Sequence, residues 1–271
     1  MAGQQDLAEK RHWDAVYRKR YEEIRPGWRP VGYDTLSLEW LLLSVIDRHQ
    51  PGSVLEIGCG NSVWLPHLAK LRGVRVAGID YSEEGCALAR RRLEVEGVAG
   101  EVFQLDLFEA DPARVGQFDL VYSLGVVEHF TDLEHVLSHL LKFVRPGGVL
   151  LTEVPNMGSI HGFLSWIYQP GLLAKHELVT RRSLIDAYRR LGLVNGYAAC
   201  LGLFSLNVVA WGHEQRFPWL DRLLLPCMGK MVSLTDGVMR RLNSFRGIPG
   251  LAPFLYAVGI KPDDGERECV A

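Results

Sequence analysis

The sequence predicts an α/β domain whose central sheet is mostly parallel, and three observations support this. The chain has 271 residues, which suits one elaborated domain, and 48% of them are apolar, enough for a sizeable core. Strand-like and helix-like patterns alternate between residues 53 and 153. The strand-like runs are short and almost continuously apolar, which is typical of parallel strands covered by helices on both faces.

The N-terminal part, residues 1–49, is predicted to form a helical cap. Its helical pattern is interrupted near Pro26-Gly27 and again near Pro30. From Thr35 to Arg48 the apolar residues lie along one stripe, as in a helix that packs on a core. Aromatic residues with charges beside them, together with these two interruptions, favour a hinged cap that closes over a bound molecule.

The core, residues 50–195, contains five of the seven predicted strands. These strands cover residues 53–57, 74–79, 101–105, 118–123 and 149–153, and the predicted helices between them cover residues 63–71, 83–96 and 133–143. Crossovers between parallel strands are almost always right-handed, so the carboxyl ends of the strands meet at one edge. Because such sheets bind ligands at that edge, the functional residues are expected directly after the strands.

The C-terminal part, residues 196–271, is predicted to complete a seven-stranded sheet. The sixth strand is expected near residues 203–211 and the seventh near residues 253–260, with the last strand antiparallel. A helical insertion at about 213–250 separates the two strands. Within it, the apolar spacing of residues 217–242 predicts an amphipathic helix that acts as a lid, a dimer contact or a membrane-surface contact.

The composition excludes several classes of protein. A net charge of −2 gives no electrostatic attraction to nucleic acid. The five cysteines include no C-x-x-C pair, which argues against a disulfide framework and a zinc site, and no metal site is predicted. The polar N-terminus is unlike a signal peptide, and glycines and asparagines in residues 191–212 argue against a transmembrane segment. A cytoplasmic protein is therefore expected.

Glycines follow the first predicted strand. Gly58 and Gly60 stand between that strand and a helix, where glycine lets the backbone turn tightly and approach a ligand closely. A tight turn without a ligand would give the same pattern. The third glycine of the dinucleotide-binding motif is replaced by Val63, which disfavours an NAD-dependent oxidoreductase.

Acidic residues follow the second and third predicted strands. Asp80 ends the second strand, where a carboxylate can accept both ribose hydroxyls of an adenosine. The alternative is that Asp80 caps the next helix, but Ser82 is already a suitable cap. Asp106 follows the third strand and can accept from an adenine amino group, while Leu107 packs on the base. These positions predict an adenosine-containing ligand.

Glu56 precedes the glycines after the first strand, and two further motifs follow at Phe118 to Phe130 and at Leu140 to Leu151. Together, in this order, the five motifs resemble class I S-adenosylmethionine-dependent methyltransferases. The resemblance covers residues 13–193 and is greatest to the small-molecule branch that includes the ubiquinone- and menaquinone-biosynthesis enzymes. It implies S-adenosylmethionine as cofactor and a Rossmann-like sheet of seven strands. The segments that carry it are Glu56 to Gly60, Asp80, Asp106-Leu107, Phe118 to Phe130 and Leu140 to Leu151.

The resemblance implies that eight residues bind the cofactor. Those around the methionine moiety are Glu56, Gly58, Gly60 and, through its backbone carbonyl, Leu124. Those around the adenosine moiety are Asp80 on the ribose, Tyr81 beside the adenine, and Asp106 with Leu107 holding the adenine.

The expected function is methyl transfer to a small apolar or amphiphilic acceptor at an oxygen atom. An acceptor hydroxyl needs a base, and histidine suits this best. The candidates are His176 and His129; the alternatives are that His176 caps the helix starting near Thr180 and that His129 makes a structural hydrogen bond. Residues 154–174 are expected to form a loop at the acceptor pocket. The predicted pocket residues are Tyr17, His161, Trp166 and Tyr168.

Other functions remain open at this point. A non-catalytic module that binds S-adenosylmethionine would show the same motifs. The fourth strand is followed by Ser-Leu-Gly-Val, so methylation of DNA adenine or glutamine side chains, which uses a Pro-Pro motif there, is disfavoured. No acidic trio for a magnesium-bound catechol is evident. A homodimer and a peripheral membrane contact are compatible with the sequence.

Overall fold

The computed structural model describes residues 6–8, 10–18, 24–168, 170–205, 208, 230, 237, 241 and 245–263. Within them, seven strands form one sheet. In chain order the strands are β1 (Ser53–Ile57), β2 (Arg75–Asp80), β3 (Gly100–Gln104), β4 (Phe118–Leu124), β5 (Val144–Pro155), β6 (Val194–Leu201) and β7 (Phe254–Ile260). The order across the sheet is β3-β2-β1-β4-β5-β7-β6, and β7 runs antiparallel to both neighbours. The predicted mostly parallel sheet with an antiparallel last strand is confirmed.

Helices surround the sheet. They are α1 (Lys10–Arg18), α2 (Tyr33–His49), α3 (Trp64–Arg72), α4 (Glu83–Glu96), α5 (Pro112–Val115), α6 (Leu133–Lys142), α7 (Ile160–Tyr168), α8 (Pro170–Leu173) and α9 (Arg181–Arg190). The predicted cap at Ser82 is present, since its side chain accepts from the backbone N–H of Gly85. None of the described helices is long and apolar enough to cross a membrane.

Two apolar cores lie on opposite faces of the sheet. On β5, Leu150 belongs to one core, while Val149 and Leu151 belong to the other, as the alternation of side chains along a strand requires. One core receives α6 and α9, and the other receives α2, α3 and α4. Each fully buried leucine contributes about 1.5–3 kcal/mol of transfer free energy, so the cores hold the strand ends firmly in place.

The predicted position of the sixth strand was wrong. The strand covers residues 194–201 rather than 203–211. It ends because Gly202 adopts a left-handed conformation, with φ of 81°, and donates its N–H to the carbonyl of Phe245. The apolar run after Gly202 suggested a strand, but Leu203 to Ser205 are irregular in the structure. Residues 206, 207 and 209–211 lie outside the described part.

The segment after β5 also differs from the prediction. Residues 154–174, expected as a loop, contain α7 and α8. The hydroxyl of Ser159 accepts from the backbone N–H of His161 and so satisfies a donor in the first turn of α7. The predicted helical insertion at 213–250, with its amphipathic segment 217–242, lies outside the described residues except at 230, 237, 241 and 245–250.

Candidate functional site

The turn after β1, residues 58–63, is called the cofactor loop here. Gly58 adopts a left-handed conformation with φ of 74°, and a Cβ atom built there would lie 2.5 Å from Cγ2 of Val126. The backbone N–H groups of Gly58 and Cys59 donate to the carbonyl of Ile79, at distances of 2.8 and 3.1 Å. The loop therefore requires glycine at position 58 and is fixed to the end of β2.

Asp80 connects the ends of β1 and β2. Its carboxylate accepts from the backbone N–H of Gly60 at 2.8 Å and from that of Ser82 at 2.7 Å. The side chain is almost completely buried, and desolvation raises the pKa of this carboxyl to about 6. Each carboxylate oxygen has two acceptor sites, so Asp80 can orient the cofactor loop and still accept from a ligand hydroxyl.

Glu56 lies in the middle of the sheet beneath the cofactor loop. Its carboxyl oxygen Oε2 accepts from the hydroxyl of Ser62 and from that of Tyr122, the latter at 2.8 Å. Burial raises the pKa of Glu56 to about 8, so the group is largely protonated at neutral pH. The contacts that the structure records for Glu56 are thus a brace between β1, β4 and the start of α3.

A cleft of about 440 Å³ opens at the ends of β2 and β3. The residues that line it are Asp6, Lys10, Tyr81, Gln104, Leu105 and Asp106. The hydroxyl of Tyr81 donates to Asp6 at 3.0 Å. Leu107, predicted to pack on an adenine, is buried in one of the cores, and Leu105 lines the cleft. Two of the predicted adenine-binding residues, Tyr81 and Asp106, therefore share one cleft.

Helix α1 covers the cofactor loop. The ring of Tyr17 lies against Gly60 and Gly85, where any Cβ atom on Gly60 would collide with it. Trp13 stacks on Tyr17 and meets the ring of His129 edge-on, with centroid distances of 6.0 and 5.3 Å. The predicted cap thus contacts both the loop and a predicted base.

Polar contacts hold α1 in this position. Asp14 accepts from the hydroxyl of Ser82 at 2.5 Å, and Arg18 pairs with Glu84 at 3.2 Å. These bonds join the cap to the start of α4. Surface pairs of this kind contribute little free energy each, so the cap is held mainly by its aromatic contacts.

The two predicted bases, His129 and His176, lie together. Their ring centroids are 4.7 Å apart. Nδ1 of His129 is 2.9 Å from the carbonyl oxygen of Lys175, which can only accept, so this nitrogen carries the proton and Nε2 has the free lone pair. Burial lowers the pKa of both rings, that of His176 to about 3. His176 does not cap α9, because the cap is Thr180.

Glu128, which sequence reasoning missed, completes this cluster. Its Oε1 is 4.0 Å from Nε2 of His129, and burial raises its pKa to about 8. Oε2 of Glu128 and Nδ1 of His176 are buried without a hydrogen-bond partner among the described residues. Glu128 directly precedes His129 in the sequence, so its position next to a predicted base could have identified it as a site residue.

The cluster has ligand types that suit a metal ion. One potential ligand atom from each of Glu128, His129 and His176 lies within 4.8 Å of the others. Two imidazoles and a carboxylate are a donor set typical of zinc and related transition metals. Burial shifts the pKa of each of the three groups in the direction that favours its neutral form. The expectation from sequence that the protein has no metal site is therefore still only a prediction.

The ends of β4 and β5 border the same region. Leu124 pairs with Glu153 across the two strands, and the N–H of Gly125 donates to the carbonyl of Glu153 at 3.0 Å. Oε1 of Glu153 and the hydroxyl of Ser123 are also buried without a partner among the described residues. Burial and the nearby Glu128 raise the pKa of Glu153. Glu153 was not predicted, because it reads as one more residue of a buried strand.

The other predicted pocket residues lie elsewhere on α7. His161 is completely buried, with Nδ1 near the hydroxyl of Ser159 and Nε2 accepting from the N–H of Ser205 at 2.9 Å. Both ring nitrogens are therefore occupied, and burial lowers the pKa of His161 to about 4. Trp166 is 59% exposed and stacks on Phe163. The side chain of Tyr168 lies outside the described part.

Comparison with known proteins identifies the family. The model of a methyltransferase domain family matches residues 35–196. A ubiquinone biosynthesis O-methyltransferase of Acinetobacter baylyi is 31% identical over 157 residues, or 56% of this chain and 62% of that protein. A ubiquinone biosynthesis O-methyltransferase of Pseudomonas aeruginosa is 35% identical over 103 residues, or 38% of this chain and 44% of that protein. The chain thus spans less than two thirds of the length of these relatives.

Solved structures show the same fold. An S-adenosylmethionine-dependent methyltransferase from Archaeoglobus fulgidus has a TM-score of 0.53 at 18% identity, covering 83% of this chain and 93% of its own. The plantazolicin methyltransferase BpumL in complex with S-adenosylhomocysteine has a TM-score of 0.57 at 17% identity, covering 95% and 94%. Since the family model matches more than half of the chain, this protein belongs to the methyltransferase domain family, with the class I fold that uses S-adenosylmethionine.

Proposed function

We propose that this chain transfers the methyl group of S-adenosylmethionine to an oxygen atom of a small apolar or amphiphilic acceptor. The observation that carries the proposal is the buried, neutral pair of His129 and His176 under the helix that covers the cofactor loop. A hydroxyl acceptor needs a base in such a position, whereas an acceptor that is already nucleophilic does not. The curated relatives carry the name O-methyltransferase, which supports oxygen.

The residues after β1, β2 and β3 fit the cofactor. Bound S-adenosylmethionine supplies a methyl group that is already activated by the positive sulfur. Gly58 and Gly60 form the tight turn after β1, on which Val126 and Tyr17 pack, and this turn is proposed to approach the methionine end. Asp80 has further acceptor sites for ribose hydroxyls. The proposed set is Glu56, Gly58, Gly60 and Leu124 at the methionine end, with Asp80, Tyr81, Asp106 and Leu107 at the adenosine end. Glu56 bonds to Ser62 and Tyr122 and Leu107 packs in a core, so these two residues are proposed to hold the cofactor-binding residues in place rather than to contact the cofactor.

His129 is proposed to take the proton from the acceptor. Its Nδ1–H is fixed on the carbonyl of Lys175, so Nε2 is the nitrogen that can accept the proton released by the acceptor hydroxyl. His176 packs on the same ring and Glu128 lies 4.0 Å from Nε2. The imidazolium that forms is stabilised by the oxygen dipole of the neighbouring Glu128 carboxyl group, which burial keeps protonated.

Helix α1 is proposed to exclude water from the reacting atoms. Trp13 bridges the ring over the cofactor loop, Tyr17, and the proposed base, His129. Exclusion of water strengthens the electrostatic interactions in the site and prevents side reactions. Among the four predicted pocket residues, Tyr17 is the one whose position supports a place beside the acceptor.

Transfer of label tests the proposal. The full chain is incubated with methyl-tritiated S-adenosylmethionine and a small-molecule extract, and the labelled product is purified and its methyl group identified by NMR. An O-methyl product that His129→Ala and His176→Ala reduce about 10²–10⁴-fold is expected, with S-adenosylhomocysteine affinity unchanged. His49→Ala, at the end of α2, is the matched control. An N-methyl product contradicts the proposed acceptor atom, and cofactor binding without any transfer contradicts catalysis.

A further inference from the structure

A second cleft lies beside the cofactor loop, on the side of α3 and α4. Its volume is about 360 Å³, within the lower range of small-molecule sites. Arg25 and Trp28 line it from the N-terminal part, Asn61 from the cofactor loop and Arg92 from the third turn of α4. We call it the arginine cleft. The residues that line it carry two guanidinium groups and no carboxylate.

Arg92 is unusual because it is charged, buried and bonded to a neutral partner. Only 6% of the residue is exposed. Its Nε and Nη2 donate to Oδ1 of Asn61 at 3.1 and 2.9 Å. Within the described part of the chain, no carboxylate oxygen lies within 4.0 Å of its guanidinium nitrogens. A buried cation without a direct counter-ion is costly, so this charge favours an anion in the cleft.

The carboxylate that acts on Arg92 through space is hydrogen-bonded to other donors. Glu96, one turn further along α4, accepts from the ammonium of Lys70 at 2.5 Å and from the backbone N–H of Trp28 at 3.1 Å. It contributes to the charge balance of Arg92 at longer range only. Arg92 therefore retains N–H donors of its planar guanidinium for an incoming oxyanion, which such a group binds with two parallel hydrogen bonds.

We propose that the arginine cleft binds a small oxyanion, a carboxylate or a phosphate group, between Arg92 and Arg25. Two sources can supply this chemistry. One is the carboxylate of the cofactor itself, because Asn61 directly follows Gly60 in the cofactor loop. The other is an acidic group on a different molecule. The proposal does not depend on which atom the enzyme methylates.

Ligand-dependent thermal stability tests the proposal. The melting temperature of the full chain is measured in inorganic phosphate and in potassium chloride at equal ionic strength. Phosphate should raise it beyond the chloride value, because binding to the folded state alone stabilises that state. Arg92→Gln should abolish this extra rise, and Arg25→Gln, at an exposed position, should weaken phosphate binding about tenfold or more. Arg91→Gln is the control, since Arg91 lies on the same helix but pairs with Glu94.

A second titration identifies the source of the anion. If phosphate competes with S-adenosylhomocysteine, the cleft holds the carboxylate of the cofactor. If both bind together, the cleft holds an acidic group of another molecule. A phosphate response that is the same in wild type, Arg25→Gln and Arg92→Gln overturns the proposal. Arg25→Gln gives the answer even if Arg92→Gln fails to fold.

Discussion

Replacement of Asp80 is the most direct test of the cofactor site. In the structure its carboxylate accepts two backbone N–H groups, from Gly60 at 2.8 Å and Ser82 at 2.7 Å. If it also accepts from the ribose, Asp80→Ala should lose about 1.5–3 kcal/mol of S-adenosylhomocysteine binding, since hydrogen bonds to charged groups contribute about that much. This corresponds to an affinity about 10- to 150-fold weaker.

Isothermal titration with S-adenosylhomocysteine measures the effect, and urea unfolding of the unliganded variants separates binding from stability. Asp80→Asn keeps the shape and one acceptor oxygen, so its affinity should lie between those of Asp80→Ala and wild type. Asp47→Ala is the control, because it removes an exposed carboxylate that binds Arg72 on α3. If Asp80→Ala binds S-adenosylhomocysteine as tightly as wild type does, Asp80 does not bind the ribose. Binding of NAD in place of S-adenosylhomocysteine would contradict the whole site.

Three further predictions follow from the same structure. Gly58→Ala should lower the free energy of unfolding by about 1–3 kcal/mol more than Gly73→Ala does, as measured by urea unfolding. Both positions have positive φ, but only a Cβ atom at position 58 meets another side chain. Equal losses would show that the Cβ atom at position 58 does not clash with Val126. Below a pH of about 6.5, the unfolded state binds protons at His161 and His176 that the buried rings of the folded state do not bind, whereas the raised pKa values of Glu56 and Glu128 act in the opposite direction. His176→Gln should therefore gain stability relative to wild type as the pH falls from about 6.5 toward 4, by urea unfolding, and a difference that does not change with pH would argue against the burial of His176. Hydrogen exchange of residues 8–34 should slow when S-adenosylhomocysteine binds, if α1 is a lid; equal protection in both states would make it a fixed part of the fold.

The sequence was sufficient to predict which residues meet at one edge of the sheet. Gly58, Gly60, Asp80 and Asp106 each follow a strand of strong apolar pattern, so parallel topology alone brings them to one edge. The pairing of His129 with His176 could be suspected only through family resemblance, since they are 47 residues apart and no local pattern connects them.

The rest depends on tertiary structure that local patterns do not encode. The sixth strand was misplaced because apolar residues continue beyond Gly202, and only the contact of Gly202 with Phe245 shows where the strand ends. In the sequence Glu153 is a charged residue inside an apolar strand, with no pattern that marks it as functional. It lies near Glu128 because β4 and β5 are paired in the sheet. Leu105 and Leu107 are indistinguishable in sequence, and the direction of the chain after β3 decides which one faces the cleft.

The position of β7 has a consequence for synthesis of the chain. Within the described sheet β6 pairs with β7 alone, yet β6 is made first. As the polypeptide leaves the ribosome, β5 is therefore an open edge and β6 has no strand to join until Phe254–Ile260 emerges. Open strand edges are templates for wrong pairing, so the nascent protein passes through a period of aggregation risk that ends only when β7 has been made. A premature stop before Phe254 would consequently cost the sheet two strands rather than one.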